Sequence, residues 1–122
     1  MMFRYRGKTV GTHLGRTVTR TEDLMKMLVN SRAIAGRDEE YNTWYATVHV
    51  PEMLAVDGVS SCTRHRLRAR AGQPAQFLAI YEIDGDIDTV RKEIGARLKD
   101  GRMSASTLGD PEHTTMTIWE PI

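Results

Sequence analysis

The sequence has one cysteine, Cys62, in 122 residues. A lone thiol excludes an internal disulfide, and the chain reads as a protein of a reducing compartment, the cytoplasm. No apolar run approaches the roughly 18–20 residues needed to cross a bilayer, so no membrane partner is expected. The basic N-terminus lacks the apolar segment of a secretory signal. Charge of either sign is barely in excess, at a formal net +1. That leaves no global attraction to nucleic acid or anionic lipid. There is no Gly-rich phosphate loop and no Gly-x-Ser-x-Gly elbow. His13, His49, His65 and His113 are scattered, with no histidine or cysteine pair at ligand spacing. Neither a metal nor an organic cofactor is therefore expected.

What is present is the composition of an ordinary globular domain, 40% hydrophobic and 27% charged. The length suits one domain, with a wider stability margin if it dimerises. Residues 1–24 stand apart. They carry Arg4, Arg6, Lys8, Arg16 and Arg20 against acids only at Glu22 and Asp23. The first reading is a basic extension ahead of a natural start at Met25 or Met27. The second is an added strand or arm over residues 3–10 and 17–20.

Residues 25–122 carry the folded pattern. "MKMLVNSRA" alternates, with Met25, Met27, Val29, Ser31 and Ala33 on one side, which predicts a strand. Asp38, Glu39 and Glu40 then favour a helix N-terminus. That helix is expected to end near Val48, because Pro51 disfavours helical angles at Val50. "PEMLAV" restarts a short helical piece, since proline suits a first turn. Asp57–Gly58 marks a turn. "VSSCTRHRLRAR" reads as a strand with Val59, Ser61, Thr63, His65 and Leu67 on one face and Ser60, Cys62, Arg64, Arg66 and Arg68 on the other. "AQFLAIYEI" is apolar on both faces, as in a central covered strand. Residues 87–99 form an amphipathic helix with Val90, Ile94 and Leu98 in register, and Gly101 suits its C-terminal cap. "RMSASTLGDPEH" is a loop, with or without a short edge strand, and "TTMTIWEPI" a closing strand.

The order is β-α-β-β-α-β, the ferredoxin-like arrangement, an α+β fold. Both helices cover one face of a four-stranded antiparallel sheet. Leu78 and Ile80 make an apolar demand on the other face that no remaining segment meets. A second copy of the chain would meet it, so a homodimer joined through the sheet is expected.

One stretch stands out: "EEYNTWYATVHVPEML", residues 39–54. Its longer context, "GRDEEYNTWYATVHVPEMLAVDGVSSCTRHRL" followed by "FLAIYEID", resembles the dimeric α+β barrel superfamily, and within it the EthD-like branch. Tyr41, Asn42, Trp44, Tyr45, His49, Pro51, Glu52, Gly58, Arg64 and Tyr81 carry the resemblance. Asp57 stands where such families often have proline. The resemblance covers residues 25–122. It implies two sheets packed back to back across a dimer and a small-molecule pocket in each subunit between sheet and helices. Superfamily members include polyketide cyclases, isomerases, cofactor-free monooxygenases, dehydratases, decarboxylases and haem enzymes, so the fold does not choose the reaction.

Tyr41, Tyr45 and His49 recur at i, i+4, i+8 along one side of the helix, with Asn42 beside them. If that side meets the sheet, an imidazole and a phenol point together into a mostly apolar hollow. His49 would then shuttle a proton next to a carbonyl, and Tyr45 would donate to the oxyanion formed. The plainer reading of His49 is a satisfied core residue bonded to a carbonyl freed by Pro51. Tyr41, Asn42, Trp44, His65 and Tyr81 are the expected substrate contacts. Trp44 reads equally as packing, and His65 as a residue of the dimer face. Glu52 caps the second helical piece or acts as a carboxylate. The arginine ladder is a solvated strand end or an anion clamp. Cys62 is a small buried residue.

The expected function is a small homodimeric enzyme, free of metal and organic cofactor. It would act on a small, hydrophobic carbonyl or aromatic metabolite by isomerase, cyclase or lyase (dehydratase) chemistry. The rivals are a cofactor-free monooxygenase, which oxygen uptake would reveal, a non-catalytic dimeric binder of a hydrophobic ligand, and a haem protein, which a Soret band would reveal.

Overall fold

A computed structural model describes residues 2–4 and 23–122. Most of the basic segment 1–24, including the arm proposed over 17–20, lies outside the described residues. The elements run β1 (Met2–Arg4), β2 (Met25–Ser31), α1 (Asp38–Trp44), a π-helical turn (Tyr45–His49), α2 (Val50–Leu54), β3 (Val59–Arg66), β4 (Phe77–Ile83), α3 (Ile87–Asp100), a 3-10 turn (Pro111–His113) and β5 (Thr115–Trp119). The sheet order is β1-β3-β4-β2-β5, with every pairing antiparallel. Without β1 this is the ferredoxin-like order expected for βαββαβ. The strand Met2–Arg4 adds to the edge, pairing with residues 61–63 of β3.

The core lies between one face of this sheet and the helices. From β4 it takes Phe77, Ala79, Tyr81 and Ile83, all buried, as period-two alternation requires. Met27 of β2, Tyr41 and Tyr45 from the first helical run, Met53 of α2 and Val90 of α3 complete it. Asp86 caps α3, its carboxylate accepting the Thr89 N–H at 2.9 Å, and left-handed Gly101 ends it.

Two local features differ from the sequence expectation. The first helical run does not break before Pro51. It passes from α1 through the π turn into α2, and Val50 keeps helical angles of φ −61° and ψ −47°. The Val50 N–H donates to the Tyr45 carbonyl, five residues back. The wider turn takes the backbone out of α register where the proline ring would meet the preceding turn's carbonyl.

The second is a bulge in β3. Val59 pairs with Ile83 and Ser61 with Glu82, so Ser60 is the extra residue. Beyond it the faces exchange. Cys62 and Arg64 join Val59 on the helix side, opposite Tyr81 and Ala79, while Thr63 and His65 turn to the other face. An unbroken alternation put His65 and Val59 together. One inserted residue reverses that.

Candidate functional site

The π turn decides where the histidine goes. In a π-helical turn residues five apart come into line, and Trp44 and His49 are five apart. Their rings stack, with centroids 5.1 Å apart and planes at 19°. The Tyr45 ring meets His49 edge-on at 4.8 Å. His49 is thus held between two aromatic rings. It lines a cleft of about 480 Å³ whose walls include Val29 of β2, Tyr41, Trp44, Tyr45 and residues of the 104–114 loop. A second hollow, about 360 Å³, lies under α3, lined by Met27, Met53, Ile94 and Met103 among others. Val29, His49 and Leu98 line both, so the imidazole stands where the two adjoin. The rim is exposed at Leu98, Ser104, Ala105 and Pro111, which makes this an open cleft rather than a sealed void.

The Nδ1 atom of His49 is buried and has no hydrogen-bond partner. The plainer expectation, a bond to a carbonyl freed by Pro51, is not met at this nitrogen. Burial lowers the imidazole pKa to about 4, Glu52 opposes that shift, and the Arg64 cation adds to it. The ring is neutral at pH 7 and able to accept a proton. Glu52 uses one carboxylate oxygen to accept the Ser104 N–H at 2.7 Å, and its other oxygen is buried without a partner.

The tyrosines are more committed than their spacing suggests. Tyr41 donates its hydroxyl to Ser31 at 2.7 Å. Tyr45 and Tyr81 share a hydrogen bond of 2.8 Å between their hydroxyls. They are 3% and 0% exposed, and burial raises the pKa of both phenols. Tyr45 lines the cleft, but its hydroxyl is turned to Tyr81 rather than left open for an oxyanion. Tyr81 is a core residue and not a lining one. Cys62, beside it, has a thiol pushed up to about 12 by burial, so it stays protonated and unreactive.

Of the expected substrate contacts, Tyr41 and Trp44 line the cleft and Asn42 does not. The Asn42 side-chain oxygen accepts from Arg64 at 2.8 Å. His65 is on the opposite sheet face, lining a separate hollow of about 280 Å³ with Asn30, Arg66 and Gln76. Among the described residues no group of three or more His, Cys, Asp or Glu side chains could hold a metal ion. Nor is any helix long and apolar enough to cross a membrane.

Two residues of the site have places that the sequence did not predict. Arg64 is only 7% exposed, its guanidinium 4.6 Å from the centre of the Tyr45 ring, so the first arginine of the ladder is interior rather than solvated. Only the bulge at Ser60 turns it inward. The other is Ser106, in a loop whose composition gave no hint that it lines the same cleft as the histidine.

No protein-family model and no curated protein matches the sequence. A solved structure does resemble this one: the crystal structure of an ethyl tert-butyl ether D (EthD) family protein from Bacillus halodurans C-125. It matches with a TM-score of 0.54 and 17% identity, over 81% of this chain and 100% of that one. The fold is that of an EthD-family protein. At 17% identity the likeness speaks for architecture, and the EthD-like frame leaves the chemistry to the residues in the cleft.

Proposed function

We propose that the chain is a small cofactor-independent enzyme of the cytoplasm. It moves a proton on a small, largely apolar carbonyl or aromatic metabolite, in isomerase, cyclase or lyase (dehydratase) chemistry. His49 is the base. It works as a homodimer joined through the sheet face that the helices leave open. The observation that carries this reading is a neutral imidazole, held between two aromatic rings, in the lining of an apolar cleft. A neutral ring is ready to take a proton. Once it does, the enolate left beside it raises its pKa, adding to the Glu52 carboxylate that the empty site already feels. The weak basicity of the empty site therefore does not carry over to the loaded one. Tyr41, Trp44 and the ring of Tyr45 supply apolar walls. Asn42 and Arg64 brace the aromatic rings from behind.

The test needs no knowledge of the natural substrate. A panel of small aryl ketones is incubated with the protein in D2O, and loss of the α-proton is followed by NMR. The wild type exchanges it, and His49→Ala, folded by circular dichroism, is slower by about 100-fold or more. Equal rates in the two proteins would remove His49 as the base. Binding without exchange throughout the panel would leave a non-catalytic binder of hydrophobic molecules, and oxygen uptake during turnover a cofactor-free monooxygenase.

A further inference from the structure

The cleft contains several hydroxyls, and all but a few are committed. Tyr41 donates to Ser31, Tyr45 is bonded to Tyr81, and Thr114 donates to the Asp110 carbonyl at 2.8 Å. Ser104 stands exposed at the rim. Ser106 is different. Its oxygen accepts two backbone N–H groups, from Leu108 at 2.9 Å and from Gly109 at 3.2 Å. A serine hydroxyl has two lone pairs and one proton. With both lone pairs engaged, the group can act toward a ligand only as a donor. Accepting two hydrogen bonds also polarises the O–H and strengthens it in that role.

The loop that carries Ser106 is fixed rather than loose. Glu52 holds the Ser104 N–H, and Met103 is buried. The Leu108 carbonyl accepts the Ile34 N–H at 2.8 Å, and the Asp110 N–H reaches the Arg32 carbonyl at 2.9 Å. Gly109 bridges to Ala33 and lies so close to Tyr41 that a Cβ there would sit 3.2 Å from the ring. A donor held this way loses little freedom on meeting its acceptor, which is the condition for useful preorganisation.

We propose that Ser106 is the hydrogen-bond donor that reads the substrate's oxygen in this cleft, selecting small ring compounds with a carbonyl, enol or phenolic oxygen over their deoxygenated counterparts. This rests on the cleft being the substrate site, and assigns to Ser106 the oxyanion contact that the sequence suggested for Tyr45. With His49 lining the same cleft, base and donor would both face a bound ketone as its α-carbon loses a proton.

Calorimetric binding of two probes of equal size, 4-nitrophenol and 4-nitrotoluene, tests it. The wild type binds 4-nitrophenol about tenfold more tightly, the worth of one good hydrogen bond. Ser106→Ala binds the two equally, with its affinity for 4-nitrotoluene unchanged, and Ser106→Thr restores the preference. If Ser106→Ala keeps the preference, the donor lies elsewhere and the proposal falls, while the role of His49 stands on its exchange test. If Ser106→Ala loses both probes alike, Ser106 only shapes the loop and the proposal also falls. If the wild type binds neither probe, the cleft is not a site for such molecules, and the proposed function falls with it.

Discussion

At the scale of single residues, the chemistry rests on an imidazole kept neutral by its surroundings. Burial drives the His49 pKa to about 4 against an ordinary value of 6.5. The group therefore contributes to pH-dependent stability with a definite sign. Above pH 6.5 the ring is neutral in both folded and unfolded chains and carries no penalty. Between 6.5 and 4 the unfolded chain takes up a proton that the folded chain refuses, so stability falls as pH falls. Below about 4 both forms are protonated and the slope from this group ends. The total loss is on the order of 3 kcal/mol at most. Urea unfolding from pH 7 to 4 should show a shallower decline in His49→Gln than in the wild type. Parallel declines would mean that the ring is not desolvated. Arg64 shows the other side of residue-level reading. Its type left it as a solvated cation or an anion clamp, and its contacts make it a buried support for Tyr45 and Asn42.

At the scale of elements, two irregularities of about one residue each arrange the cleft. The π turn brings Trp44 and His49 into stacking, and the β3 bulge turns Arg64 inward and His65 outward. Neither could be read from the periodicities that predicted the elements themselves, because an inserted residue changes the phase without changing the pattern on either side. β2, β4, β5 and α3 followed from alternation and helical spacing with bounds close to those observed, whereas β3, expected over residues 59–70, ends at Arg66. The turn before β3 is a third sensitive point. Gly58 has φ +97°, and a Cβ there would lie 2.6 Å from Val90 Cγ2, so the turn and α3 are packed against each other. Gly58→Ala should cost about 2–4 kcal/mol, combining left-handed strain with overpacking. Gly72, at φ +84° with open space around it, should lose only the ~1 kcal/mol conformational part when changed to Ala. Equal losses in urea unfolding would mean that the Val90 contact relaxes at no cost.

At the scale of the whole molecule, the question is what covers the second sheet face. Leu28, Leu78 and Ile80 point there, as the strand pairing dictates, with Trp119 beside Lys26 on β2. The described helices pack on the other side. On the homodimer reading, Ile80→Lys places a charge in the middle of the joint. It should shift the protein from dimer to monomer in native mass spectrometry while leaving the circular dichroism spectrum of the fold intact. A dimer that survives this change would locate the interface elsewhere.

The sequence by itself determined the β-α-β-β-α-β order of residues 25–122 and the α+β class, and left the edge strand Met2–Arg4 as one of two readings. It also placed Tyr41, Tyr45 and His49 on one helical side, because hydrophobic periodicity and turn residues are local properties. Only the tertiary structure decided which polar groups remain available in the cleft. Tyr45 reads as a donor until Tyr81, thirty-six positions away, takes its hydroxyl, and Ser106 reads as loop until the fold places it in the lining of the cleft. The commitment of the two phenols is settled by partners ten and thirty-six positions away, and no local pattern records it.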